Sequence, residues 1–118
     1  MRKIETQMNM AIKSQKNWSS GNTQVITDNG FSRVFLHGNH IANVFDDVVD
    51  GNVKTIVQLF DGGWQTVTTK SRLNSLLFEF DTGFSVFQKN WDWFVSDFQG
   101  KTVKDFTDGI TVNYNGCF

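Results

Sequence analysis

Ile4, Met8, Ala11 and Ile12 recur at i, i+4, i+7 and i+8, so residues 2–16 are predicted to form one amphipathic helix. Its apolar face is narrow, which suits docking on a sheet better than lying in a membrane surface. After Asn17–Asn22 the period falls from 3.6 to 2. Strands are expected over 23–28, 31–37, 40–49 and 53–60, joined by turns at Asp28-Asn29-Gly30, Gly38-Asn39 and Asp50-Gly51-Asn52. In this antiparallel meander Asp28 pairs with Phe31 and His37 with His40. One face then carries Val25, Val34, Leu36, Ile41 and Phe45 among polar residues; the other carries Ile26, Phe31, Phe35, Ala42 and Val44 with Arg33, His37 and His40. Neither face is cleanly polar, so the sheet is expected to be covered on both sides or curled into a small barrel.

Asp61-Gly62-Gly63 breaks the pattern. Leu73, Leu76, Leu77 and Phe80 then give a second helical stripe, predicting a helix over 69–80 with Thr68 or Thr69 as its cap and Asp81-Thr82-Gly83 as its stop. The tail from Phe84 reads as further strand, including 102–106 and 110–114. The whole is expected to be a single α+β domain, residues 1–118, with antiparallel pairing.

Composition changes this picture in two ways. Twelve Phe and four Trp in 118 residues exclude disorder. They also raise the question whether one core can bury so many rings or a second copy of the chain must help. A formal net charge of -1 removes the electrostatic funnel of a nucleic-acid binder. Cys117 is the only cysteine, so no intrachain disulfide is possible, and a reducing, cytoplasmic setting is expected. No apolar run has the length of a membrane span and no signal-peptide core is present, so no membrane partner is expected.

Several segments together resemble a group of small tailed-phage proteins known from marine viruses and metagenomes. They are Asn17-Trp18-Ser19-Ser20, Leu36-His37-Gly38-Asn39-His40-Ile41-Ala42, Leu59-Phe60-Asp61-Gly62-Gly63-Trp64, Thr68-Thr69-Lys70-Ser71-Arg72-Leu73-Asn74, Val86-Phe87-Gln88-Lys89-Asn90 and Trp93-Phe94-Val95. Residues 46–54 depart from that pattern by being longer. The group has no established activity, so the resemblance transfers no catalytic residue. It implies an accessory protein working inside an infected bacterium.

Candidate chemistry gathers in three places. His37 and His40, facing each other across a two-residue turn about 5.5 Å apart, would offer two imidazoles to a Zn²⁺ or Ni²⁺, with a further ligand needed from an Asp. Gly62 and Gly63 lead into a helix start carrying Thr69, Lys70 and Arg72, which would bind a phosphate through free backbone N–H groups; the spacing is not that of a P-loop. Trp91 and Trp93, sharing one face of a strand, would make a stacking platform for bases, although Asp92 and Asp97 lie beside them. Trp18, Trp64, Trp91 and Trp93 are the candidate interaction residues. No motif implies a cofactor or a catalytic set. The leading expectation is a module that binds a host or phage protein. The alternatives are a nucleotide or single-stranded nucleic-acid binder and, less supported, a metal-dependent hydrolase built on His37 and His40.

Overall fold

The computed structural model describes residues 2–118; Met1 lies outside them. Helix α1, Lys3–Lys13, buries Met8, Ala11 and Ile12, the stripe seen in the sequence, together with Glu5 and Asn9. It stops three residues before the expected end because Gln15 turns left-handed (φ 56°). The Gln15 and Lys16 amides then bond back to the carbonyls of Ile12 and Ala11, satisfying the last turn.

The chain next forms β1, Trp18–Ser20, a short strand that the sequence pattern left as a connection. Strands β2 (Thr23–Asp28), β3 (Phe31–Leu36), β4 (Asn39–Val49) and β5 (Asn52–Leu59) follow close to their expected limits. Asp28 faces Phe31 as expected. The next hairpin differs by one residue: His37 and Gly38, at φ 51° and 77°, are themselves the two turn residues, and Leu36 pairs with Asn39. Phe35 then faces His40 while Val34 faces Ala42, so Ile41 is an extra residue in β4. This bulge inverts the phase of β4. Ala42 and Val44 join Val25, Val34 and Leu36 on the inner face, and Phe45 moves to the outer face, reversing the expected assignment.

The segment Asp46–Thr55 prolongs β4 and β5 as a two-stranded arm tipped by exposed Val48 and Val53. After helix α2 (Val67–Glu79), strands β6 (Phe84–Lys89), β7 (Asp92–Asp97) and β8 (Val103–Asp105) form a separate three-stranded sheet. Strands β9 (Ile110–Asn113) and β10 (Gly116–Cys117) return to the first sheet, whose order is β1-β2-β3-β4-β5-β9-β10. It ends on two short edge strands and does not close into a barrel.

Both helices and the small sheet pack on one side of the large sheet. Leu73, Leu76 and Leu77 of α2, Met8 and Ile12 of α1, and Val86, Trp93 and Val95 of the small sheet meet Val25, Val34, Val57, Leu59 and Val112 in one core. Asn74 on α2 guards the edge of β6, its amide accepting from the Val86 N–H (2.7 Å) and donating to the Val86 carbonyl (3.0 Å). Across β2–β5 the opposite side of the large sheet has no helix or sheet laid over it among the described residues, contrary to the two-sided cover that the mixed faces suggested.

Candidate functional site

The outer face of the large sheet is where polar and aromatic groups converge. Strand alternation places Phe31, Arg33 and Phe35 of β3, His40, Asn43 and Phe45 of β4, and Ile56 and Gln58 of β5 on it. Phe31 and Phe45 stack with centroids 5.1 Å apart and planes 18° from parallel, and the Arg33 guanidinium lies over the Phe31 ring at 6.0 Å. His40 stands between Phe35 (5.5 Å) and Phe60 (4.6 Å), because β4 runs between β3 and β5. These rings are half-buried by one another and stay outside the core.

A chain of hydrogen bonds sets the orientation of His40. The Gly109 carbonyl can only accept, so Gln58 turns its Nε2 toward it (3.1 Å). Gln58 Oε1 then accepts from Asn43 Nδ2 (3.0 Å), which leaves Asn43 Oδ1 to accept from His40 Nε2 at 2.6 Å. The Ala42 carbonyl, 3.1 Å away, is a second acceptor at the same nitrogen. The proton of the neutral ring therefore sits on Nε2. Nδ1 is left as an acceptor with no partner among the described residues.

The expected His37–His40 pair is not formed. His37 is an exposed turn residue and His40 belongs to the aromatic face. Among the described residues no group of three or more potential ligands is assembled for a metal ion. The cause is the turn, which takes His37 and Gly38 as its two residues and so sets His40 opposite Phe35.

The anion set is also rearranged. Gly62 and Thr69 do come together, lining a cleft of about 270 Å³ with His37, Asp61 and Trp64. Gly62 is required there: a Cβ would approach Asn39 Cβ to 3.1 Å and Ile41 Cγ2 to 3.2 Å, at φ 69°. The cap of α2 is Thr66, not Thr68 or Thr69, and its Oγ1 takes the Thr69 N–H at 3.1 Å. Gly63 is exposed and Lys70 half-buried, and neither lines the cleft. Arg72, two residues further into the helix than expected, is buried and donates to Glu5 Oε2 (2.8 Å), Thr23 Oγ1 (3.1 Å) and Asn22 Oδ1 (3.3 Å). It is a structural clamp between α2, α1 and β2. The only formal charge lining the cleft is the carboxylate of Asp61, which repels the phosphate that the sequence pattern suggested.

The four tryptophans separate. Trp18 is half-buried and packs against the core, and Trp64 is 68% exposed beside the cleft. Trp93 is buried at 4% exposure, whereas Trp91 is 88% exposed in the β6–β7 turn. The expected shared face is therefore broken by the turn at Asn90-Trp91. Asn43 and Gln58 were missed in the sequence, although amide side chains in the middle of apolar strand runs were a usable signal.

Fold and surfaces together define a small α+β protein built on an open antiparallel sheet, with aromatic side chains on its uncovered face. Residues 1–113 match the family model described as Kyanoviridae Gp96 protein, and the chain belongs to that tailed-phage family. No curated protein and no solved structure matches it. No helix among the described residues is long and apolar enough to cross a membrane.

Proposed function

We propose that the protein is a phage accessory module that docks a host or phage protein on the outer face of its large sheet, in the cytoplasm of the infected cell. One observation carries this reading: the rings on that face are already mated to each other. Base stacking needs an open π-face, but Phe31 is stacked on Phe45 and lies beneath Arg33, and His40 stands between Phe35 and Phe60. What such a face offers is ring edges, apolar area and a few oriented polar groups. That is the composition of a protein-docking patch. Arg33 is the one cation at its centre, too little to track a phosphate backbone. His40 Nδ1 supplies a fixed acceptor for an N–H or O–H of the docked protein.

The test is affinity capture from nuclease-treated lysate of an infected cyanobacterial host, with wild type compared against Phe35→Glu and Arg33→Glu. A protein retained by the wild type and by Phe78→Ala, a change on the far side of the molecule, but lost about tenfold or more with either face variant is the expected result. Equal capture by all four chains would reject the docking face. Nucleic acid retained by the wild type without nuclease, and lost with the face variants, would favour the nucleic-acid alternative.

A further inference from the structure

The large sheet is open along β1, which has β2 on one side and no strand on the other. Backbone direction shows what that edge presents. The β2–β3 hairpin turns on two residues, so Asp28 and Phe31 exchange backbone bonds, and Thr23, Val25 and Thr27 direct theirs toward β1. The Thr27 N–H accordingly reaches Asn17 Oδ1 at 2.7 Å. Trp18 and Ser20, opposite Val25 and Thr23, therefore bond to β2, and the N–H and C=O of Ser19 point out of the sheet. Ser19 is exposed, and neither group has a partner among the described residues.

The other edges are closed or blunted. Phe118 and Thr111 exchange both backbone bonds, so Cys117 holds the outward position on β10, and it is only 2% exposed. Asn74 occupies the edge of β6, and β8 carries Lys104 and Asp105. Trp18-Ser19-Ser20 has no charge, no proline and no bulge.

A second cleft, of about 290 Å³, runs beside this edge between α1 and β1. Helix α1 turns Glu5, Asn9 and Lys13 toward Arg72, Ser75 and Glu79 of α2, and its other flank, with Gln7, Met10 and Ser14, lines the cleft. Met10 and Ala11 form an apolar wall with Trp18, whose side chain lies on the helix side of the sheet because it faces Val25. Lys16 is the one charged residue among those lining the cleft. Lys3 continues the same stripe one turn before Gln7. A Cβ on Gly21 would lie 3.9 Å from Ile4 Cδ1, which places Lys3 at the Ser20 end of β1 and leaves Lys16 at the Trp18 end. Neither lysine has an ion-pair partner among the described residues, where Lys13 is taken by Glu79 and Glu5 by Arg72.

We propose that β1 adds an extended peptide segment of a partner protein, apolar at its centre and acidic at both ends. Ser19 supplies two main-chain hydrogen bonds to the incoming strand. The peptide residue opposite Trp18 points as Trp18 does, to the helix side, and fills the cleft. Carboxylates at the two ends meet Lys3 and Lys16. A second copy of this chain is a poorer occupant, because antiparallel pairing about Ser19 sets Lys16 of one copy beside Lys3 of the other, like charge against like. The site lies at the edge of the sheet and does not depend on what docks on its outer face.

The test is an NMR titration of the full chain with the capped peptide acetyl-Glu-Glu-Val-Leu-Val-Glu-Glu-amide. Expected are saturable binding and a Ser19 amide that shifts and becomes protected from hydrogen exchange. Affinity should fall about tenfold or more when the central peptide nitrogens are methylated, and likewise in Ser19→Pro. Proline at an outward edge position removes only the free N–H, and an unchanged amide spectrum elsewhere verifies the fold. Lys3→Glu/Lys16→Glu should bind the version with lysine in place of glutamate, whereas Arg33→Glu, on the outer face, should bind like the wild type. No saturable binding, equal binding of the methylated peptide, or equal binding of the acidic and basic peptides by the wild type would each overturn the proposal. So would a Ser19 amide protected without peptide in a chain of dimer mass, which would make a second copy the occupant.

Discussion

Arg72 and Glu5 form an ion pair whose side chains are only 4% and 3% exposed. Two charges withdrawn from water are tolerated here because each has further partners: Thr23 and Asn22 for the guanidinium, Ser71 for the carboxylate. Removing one partner strands the other. Arg72→Met is expected to destabilise the protein by about 3–5 kcal/mol, and adding Glu5→Leu should recover most of that loss, both read from urea unfolding. Nothing local in the sequence distinguishes this arginine from a solvated helix residue, because its partners are about 50 and 67 residues away. Cys117 shows a second residue-scale effect. Burial pushes its thiol above the ordinary value of 9.0; Asp97 adds to the shift and Lys104 opposes it. The folded state thus favours the neutral thiol, a stabilisation fully present below the ordinary thiol pKa and lost as pH rises through the raised one. Unfolding measured from about pH 8 to about pH 10.5 should show the wild type losing stability relative to Cys117→Ala toward the alkaline end.

At the scale of elements, propensity and periodicity specify most of the fold, and one bulge rearranges its surfaces. The stripe Leu73, Leu76, Leu77, the glycine turns and the strand limits near 23–28 and 40–49 are local properties, so they were legible. The extra residue Ile41 is not local. Strand alternation continues unbroken through the sequence at that point, and it is the pairing of β4 with β3 that inserts the step. The consequence can be tested. Val44→Asp should abolish folding, since Val44 is 3% exposed in the core, whereas Phe45→Asp should leave the protein folded with cooperative melting by circular dichroism. An unbulged hairpin demands the reverse. A separate change, the displacement of the β3–β4 turn by one residue, dissolves the His37–His40 pair and sets His40 beside Phe35. The candidate site was thus less legible than the fold carrying it.

For the molecule as a whole, the abundance of rings is not a burden that folding leaves unresolved. The accessible surface is 6626 Å², against about 6,500 Å² expected of a folded single chain of this mass. Its Cα radius of gyration of 13.3 Å likewise matches the roughly 13.5 Å expected for this length. One copy closes its own core, so light scattering at low micromolar concentration is expected to give the mass of one chain; a dimer mass would show that the outer face pairs with itself. The rings that the core does not take are spread over the outer face of the large sheet, the tryptophan-tipped turn of the small sheet, Trp64 beside the first cleft and Phe78 on α2.

The sequence by itself determined the kinds of element, their order, the antiparallel pairing and the identity of the inner helical stripes. Each follows from contacts within a few residues or from a period repeated along one segment. Tertiary structure alone decided which strand face was buried, which histidine entered the aromatic cluster, whether Arg72 met a ligand or a carboxylate, and which tryptophan faced water. These depend on pairing between residues far apart in the chain, where one inserted residue exchanges the faces of a strand. The alternating pattern is the same either way, and only the partner strand selects between them.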